Sequence, residues 1–192
     1  MRATAFRSAS LSVIALSFGL LATTAPLQAQ SISVKPGLWA SASVNTINGR
    51  KMPTIFDIKG ALTAEQKSSL AAAMAKVGLP AGGSPHLACQ QSAEFSLPKP
   101  ESVEQCTTQV KPADGSSGTF TMSCKSEMVS GTGVGTYEVK DKTAATVKVS
   151  FKGSTAQGQP LSYDSSSVHK WIGSDCDTPP AGVDPTLMTL MR

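Results

Sequence analysis

Apolar and polar positions alternate along most of this chain, with one helical interruption. Between Thr143 and Lys152, Ala145, Val147, Val149 and Phe151 take every second place, while Thr146, Lys148, Ser150 and Lys152 take the others. A period of two with one apolar and one polar face predicts an antiparallel strand, dry on one side and wet on the other. Strands are also expected over Gly133–Lys140 and Leu161–Ile172, and the short loops between the three suit a meander. Glu104–Lys111 and Gly118–Lys125 flank a turn-forming loop. Symmetric pairing of these two runs sets Cys106 opposite Cys124, Thr108 opposite Met122 and Val110 opposite Phe120, so one face collects the apolar side chains and both thiols.

Nearer the start, Asn48-Gly49 is a strong hairpin signal, because both residues tolerate positive φ. Counting outward from this turn sets Trp39 opposite Ile58 and Ser41 opposite Phe56. Trp39, Phe56 and Ile58 are therefore expected to form an apolar core cluster, joined in the core by Gly37 and Trp171. Pro53 has no ladder donor, which predicts an edge or a break in the second strand near it.

The pattern changes over Leu62–Gly78, which is rich in alanine and lacks β-branched residues until Val77. This is a predicted helix, with Thr63 and Gln66 as a capping box and Gly78 followed by Pro80 as the stop. Leu70, Met74 and Val77 form its apolar stripe. The stripe suits a helix laid on a sheet or, as the sharper expectation, a lid over a ligand cavity.

Residues 1–29 have the form of a secretory signal peptide: Arg2 and Arg7, a short apolar run, and a small residue at Ala29. No cysteine follows the run, so lipid attachment is not expected, and no transmembrane span is expected once the leader is removed. Residues 30–176 are enough for one β-rich domain, and 177–192 are expected to be a flexible C-terminal tail. Without Arg2 and Arg7 the chain keeps 15 basic and 13 acidic residues, a net charge of +2. So small and scattered an excess does not suggest nucleic acid as a partner. Four cysteines in an exported chain read as two disulfides, Cys106 with Cys124 from the strand pairing and Cys89 with Cys176 by elimination.

Candidate chemistry is sparse. His86 and His169 stand in no motif that would activate a nucleophile or hold a metal, and Asp175 with Asp177 is a weak calcium pattern. The Gly131–Gly135 run is followed by a strand rather than a helix, so it lacks the helix N-terminus of a phosphate loop; its glycines suggest a bend or bulge. No catalytic residue, cofactor or metal is expected, and the reading is not an enzyme.

The segment Lys35-Pro36-Gly37-Leu38-Trp39, the Leu62–Gln66 helix start and the closing His169-Lys170-Trp171-Ile172-Gly173-Ser174-Asp175-Cys176 resemble the domain of unknown function 3617 family of small exported proteins. The resemblance covers about Val34 to Cys176. It implies a periplasmic location and a disulfide-bearing β fold, and carries no known activity. The expected fold is mainly β: a curved antiparallel sheet or small up-and-down barrel, similar to lipocalins in its Gly-x-Trp opening, with one inserted helix; a β-sandwich is the alternative. The expected function is non-enzymatic binding of an apolar small molecule in the sheet or barrel interior. An envelope interaction or structural module, using the Pro53 edge or the tail, is the alternative.

Overall fold

The structure, a computed structural model, describes residues 32–95 and 106–178 together with 181 and 188. The leader and most of the tail lie outside the described residues. A two-stranded ribbon joins β1 (Ile32–Ser33) to β5 (Glu94–Phe95). The main sheet contains β2 (Gly37–Ile47), β3 (Arg50–Lys51), β4 (Ser84–Gln90), β6 (Cys106–Pro112), β7 (Ser117–Lys125), β8 (Val129–Lys140), β9 (Ala144–Thr155) and β10 (Pro160–Gly173). Its order is β3-β2-β10-β9-β8-β7-β6, and β4 pairs with β2 beside β3. The meander expected from the short loops runs from β6 to β10. The sheet is antiparallel and curved, and it does not close into a barrel.

Directly opposed residues share a face, so the register assigns each side chain. On the inner face Trp39, Phe120, Tyr137, Val139, Ala145 and Val147 pack with Ile32 and Val34 into one buried cluster. The predicted alternation in β9 holds, as does every predicted pair between β6 and β7. Gly131, Gly133 and Gly135 occupy successive inner-face places on β8, and its register is unbroken on both sides. A Cβ on Gly135 would run into the Phe120 ring, and one on Gly133 would lie 2.8 Å from Met122 Cγ. These glycines make room for neighbouring side chains across the strand. The expected bend or bulge is not there.

The first hairpin departs from expectation. Its second strand ends at Lys51, the break that Pro53 predicted. The Thr54 N–H and hydroxyl then both donate to Asp57 Oδ2, at 2.8 and 2.9 Å, and the chain turns away. Those bonds stabilise the ionised carboxylate and hold the Asp57 pKa below its usual value. Trp39 consequently opposes Ala88 and Trp171, not Ile58. Ile58 is 52% exposed, and Phe56 packs on the opposite side of the sheet from Trp39. The predicted Trp39–Phe56–Ile58 cluster does not form.

The helix α1 (Ala64–Lys76) carries the predicted capping box between Thr63 and Gln66. Its end is a Schellman arrangement, in which the Gly78 and Leu79 N–H groups donate to the Ala75 and Met74 carbonyls and Gly78 has φ +73°. Leu70 and Met74 are almost fully buried against Leu38, Ala40, Ala42 and Leu87 on the outer face of β2 and β4, with Val77 at the margin. Burying each long side chain contributes about 1.5–3 kcal/mol. The helix therefore seals a packed core directly on the sheet, and the stripe of Leu70, Met74 and Val77 is no lid over an interior cavity. Met188 is buried in the same cluster, so the 177–192 segment is packed at that residue rather than free.

Candidate functional site

The two motifs at the ends of the domain meet in space. Trp39 and Trp171 are direct partners in the β2–β10 register. Each indole N–H donates at 2.8 Å to a carbonyl of the segment leading into β2: Trp39 to Lys35 and Trp171 to Pro36. The Lys35 ammonium stands 4.7 Å from the Trp171 ring centroid, in cation–π contact. Gly37 has φ +125° and lies against Gly173 and Trp171. The β10 register slips by one place between Trp171 and Gly173, and Ile172 packs against the helix-side core. Gly37, Trp39 and Trp171 thus belong to a structural junction. Both predicted disulfides are present, Cys106–Cys124 between opposed residues and Cys89–Cys176 tying β4 to the segment after β10.

Sequence reasoning left the two histidines apart; the fold brings them to one row. His86 on β4 and His169 on β10 both oppose Ser41 on β2, facing inward. His169 Nε2 lies 2.9 Å from Ser167 Oγ, and below them Asn45 Oδ1 accepts from Ser165 and Tyr163. The inward side chains of β4, β2 and β10 include no carboxylate, so none of these residues could stabilise an imidazolium as the acid of a catalytic triad does. Among the described residues no group of three or more metal-ligating side chains converges. Asp175 Oδ1 accepts the Asp177 N–H at 2.9 Å and its other oxygen accepts the Thr178 hydroxyl, which makes this stretch a turn.

Burial, and then the neighbouring His86, hold the His169 pKa below that of a free imidazole. The unfolded chain therefore takes up this proton at a higher pH than the folded one, and stability is lost as pH falls from about 6.5 through the lower folded value. We expect the urea midpoint to drop between about pH 7 and pH 5, and His169→Gln to flatten that slope. Asp57, Asp114 and Asp175, whose pKa values are also lowered by hydrogen bonds, lose their contributions below about pH 4 and so leave this window clear. An unchanged slope in the variant would remove His169 as the cause.

The outer face over β6 to β10 is open and differs in kind. A groove of about 890 Å³ crosses β2, β10, β9, β8 and β7, lined by Val44, Thr121, Val134, Thr136, Lys148 and Ser150 among others. Two further grooves adjoin it, one sharing Thr121, Val134 and Ser150, the other Thr119, Thr136 and Lys148. Together they form a trough along β9. Threonine methyls and Val134, 60% exposed, give it an apolar surface with hydroxyls set into it. The same face carries Lys111, Lys125, Lys140, Lys148, Lys152 and Lys170, against Glu138 and Asp164 among the strand residues. The alternation in β9 already marked this face as wet; its concavity had no local signal.

These features define a disulfide-braced, open antiparallel sheet with the helix α1 packed on part of its outer face. No described helix is long and apolar enough to cross a membrane. Residues 34–176 match the family described as protein of unknown function, DUF3617, and the chain belongs to that family. No curated protein and no solved structure matches it.

Proposed function

We propose that this is a non-enzymatic, exported periplasmic binding protein that receives an elongated, mainly apolar molecule along the outer trough. The leader at residues 1–29 supports export. The observation that carries the binding reading is the groove of about 890 Å³ with Val134 exposed in its wall. That volume falls in the range of small-molecule sites. The inner face offers less space, because Trp39, Phe120, Tyr137 and Val147 pack there against one another. The receiving surface is thus the opposite face from the interior that alternation alone suggested. The Pro53 edge is a poor alternative for a partner strand, since β3 has two residues, Arg50 and Lys51, and charged, short edges discourage pairing.

Val134→Arg should put a charged side chain across the trough while leaving the buried inner face intact. With a displaceable apolar dye or a co-purifying ligand seen by native mass spectrometry, we expect about a tenfold or greater loss of affinity, equivalent to about 1.4 kcal/mol. Unchanged affinity in a folded variant would reject the trough as the site.

A further inference from the structure

We propose that the helix end of the trough holds the anionic headgroup of the bound molecule, so that the ligand is an anionic amphiphile; this rests on the trough reading above. A separate cleft of about 420 Å³ lies where the last turn of α1 meets the ends of β9 and β10. Val77, Ala144 and Ile172 form its apolar wall, Lys76 and Lys170 contribute the charged groups, and no lining residue carries a carboxylate. Lys35 adds cationic charge at the margin of the cleft, because its ammonium lies over the ring of Trp171, itself a lining residue, and its N–H donates at 2.8 Å to the carbonyl of Lys142, next to the lining Thr143. Asp141, in the same turn as Lys142, and Asp175, three residues after Ile172, are acidic residues at this end, and Glu138 lies across from Thr146 in the next groove.

The cleft and the trough share one side of the sheet. Going along β9, Ala144 lines the cleft, Thr146 and Lys148 the next groove, then Ser150 the broad one and Lys152 the last. At about 3.3 Å per residue, the 12 residues of β9 span about 40 Å, longer than a single acyl chain. A molecule with a negative head and an apolar tail could therefore place the head between Lys76 and Lys170 and lay the tail over the threonine methyls. A simpler role for the lysines is to balance the negative end of the α1 dipole, since Lys76 is in its last turn and the Lys170 stem passes 3.6 Å from a Cβ placed on Gly78. That role predicts a stability effect without any ligand preference.

The test titrates the full exported chain, by calorimetry below micelle-forming concentrations, with dodecanoate, dodecyl phosphate and dodecanol. Binding of either anion about tenfold tighter than dodecanol is expected, as for a hydrogen bond to a charged group, with the preference lost in Lys76→Gln/Lys170→Gln. Preference for the carboxylate points to free fatty acids, and preference for the phosphate to phospholipid-derived ligands. Equal affinity for all three, or an anion preference that survives the double substitution, overturns the headgroup site while leaving the trough in place. Failure of all three to bind overturns both. Thermal melts of the variant separate the dipole role, which lowers the midpoint but leaves the wild-type ligand ratio unexplained.

Discussion

Replacing Gly37 by alanine is expected to destabilise the domain by about 3 kcal/mol or more. Two costs combine. The backbone at Gly37 has φ +125°, a region that residues with a side chain rarely adopt. The added Cβ would also run into the Gly173 carbonyl oxygen and come within 2.9 Å of Trp171 Nε1. Neither neighbour can withdraw cheaply, because one is backbone and the other is an indole nitrogen whose hydrogen is already given to the Pro36 carbonyl. Relief would require β2 and β10 to part at the Trp39–Trp171 pair. Urea denaturation read by tryptophan fluorescence reports both the loss of stability and a changed indole environment. A variant within about 0.5 kcal/mol of the parent would refute the close-approach argument.

Removing the Cys89–Cys176 bridge as a double serine variant should cost more than removing Cys106–Cys124. The first closes a separation of 87 residues and the second one of 18. A longer closed loop withdraws more entropy from the unfolded chain, so about 4–5 kcal/mol is expected for the first and about 3 for the second. The folded-state consequences also differ. Cys106 and Cys124 are already adjacent in a ladder of seven pairs, so that hairpin keeps its hydrogen bonds without the sulfurs. Cys89 sits on β4, whose ladder to β2 is its connection to the main sheet. Paired denaturation curves of the two double variants decide the order, and the reverse order would show that strain or residual structure outweighs loop closure.

Much of the fold was legible because its signals are local. The capping box of Thr63 and Gln66, the Gly78 stop, the alternation through β9 and the symmetric Cys106–Cys124 hairpin each depend on residues near one another in sequence. The first hairpin misled for the same reason. Asn48-Gly49 does make the turn, with φ of 50° and 75°, but nothing near it reveals that Asp57 will capture the Thr54 N–H and hydroxyl and end the second strand. The partner that Trp39 obtains instead lies 132 positions along the chain. A hairpin count cannot anticipate a β2–β10 ladder, because strand pairing at that distance depends on the whole sheet assembling.

The candidate site divides in the same way. The amino-acid sequence by itself determined which β9 side chains are dry and which are wet, where the helix starts and stops, and that Cys106 joins Cys124, since periodicity, capping and direct opposition act over a few residues or one turn; Cys89–Cys176 then followed by elimination. Only the tertiary structure decided that the sheet stays open, that α1 packs against the outer face, and that Lys76 and Lys170 meet beside a trough. Those outcomes depend on sheet curvature and on long-range strand order, which arise from packing Phe120, Met122 and Phe151 over the glycines of β8 and from the contact between two tryptophans at opposite ends of the domain.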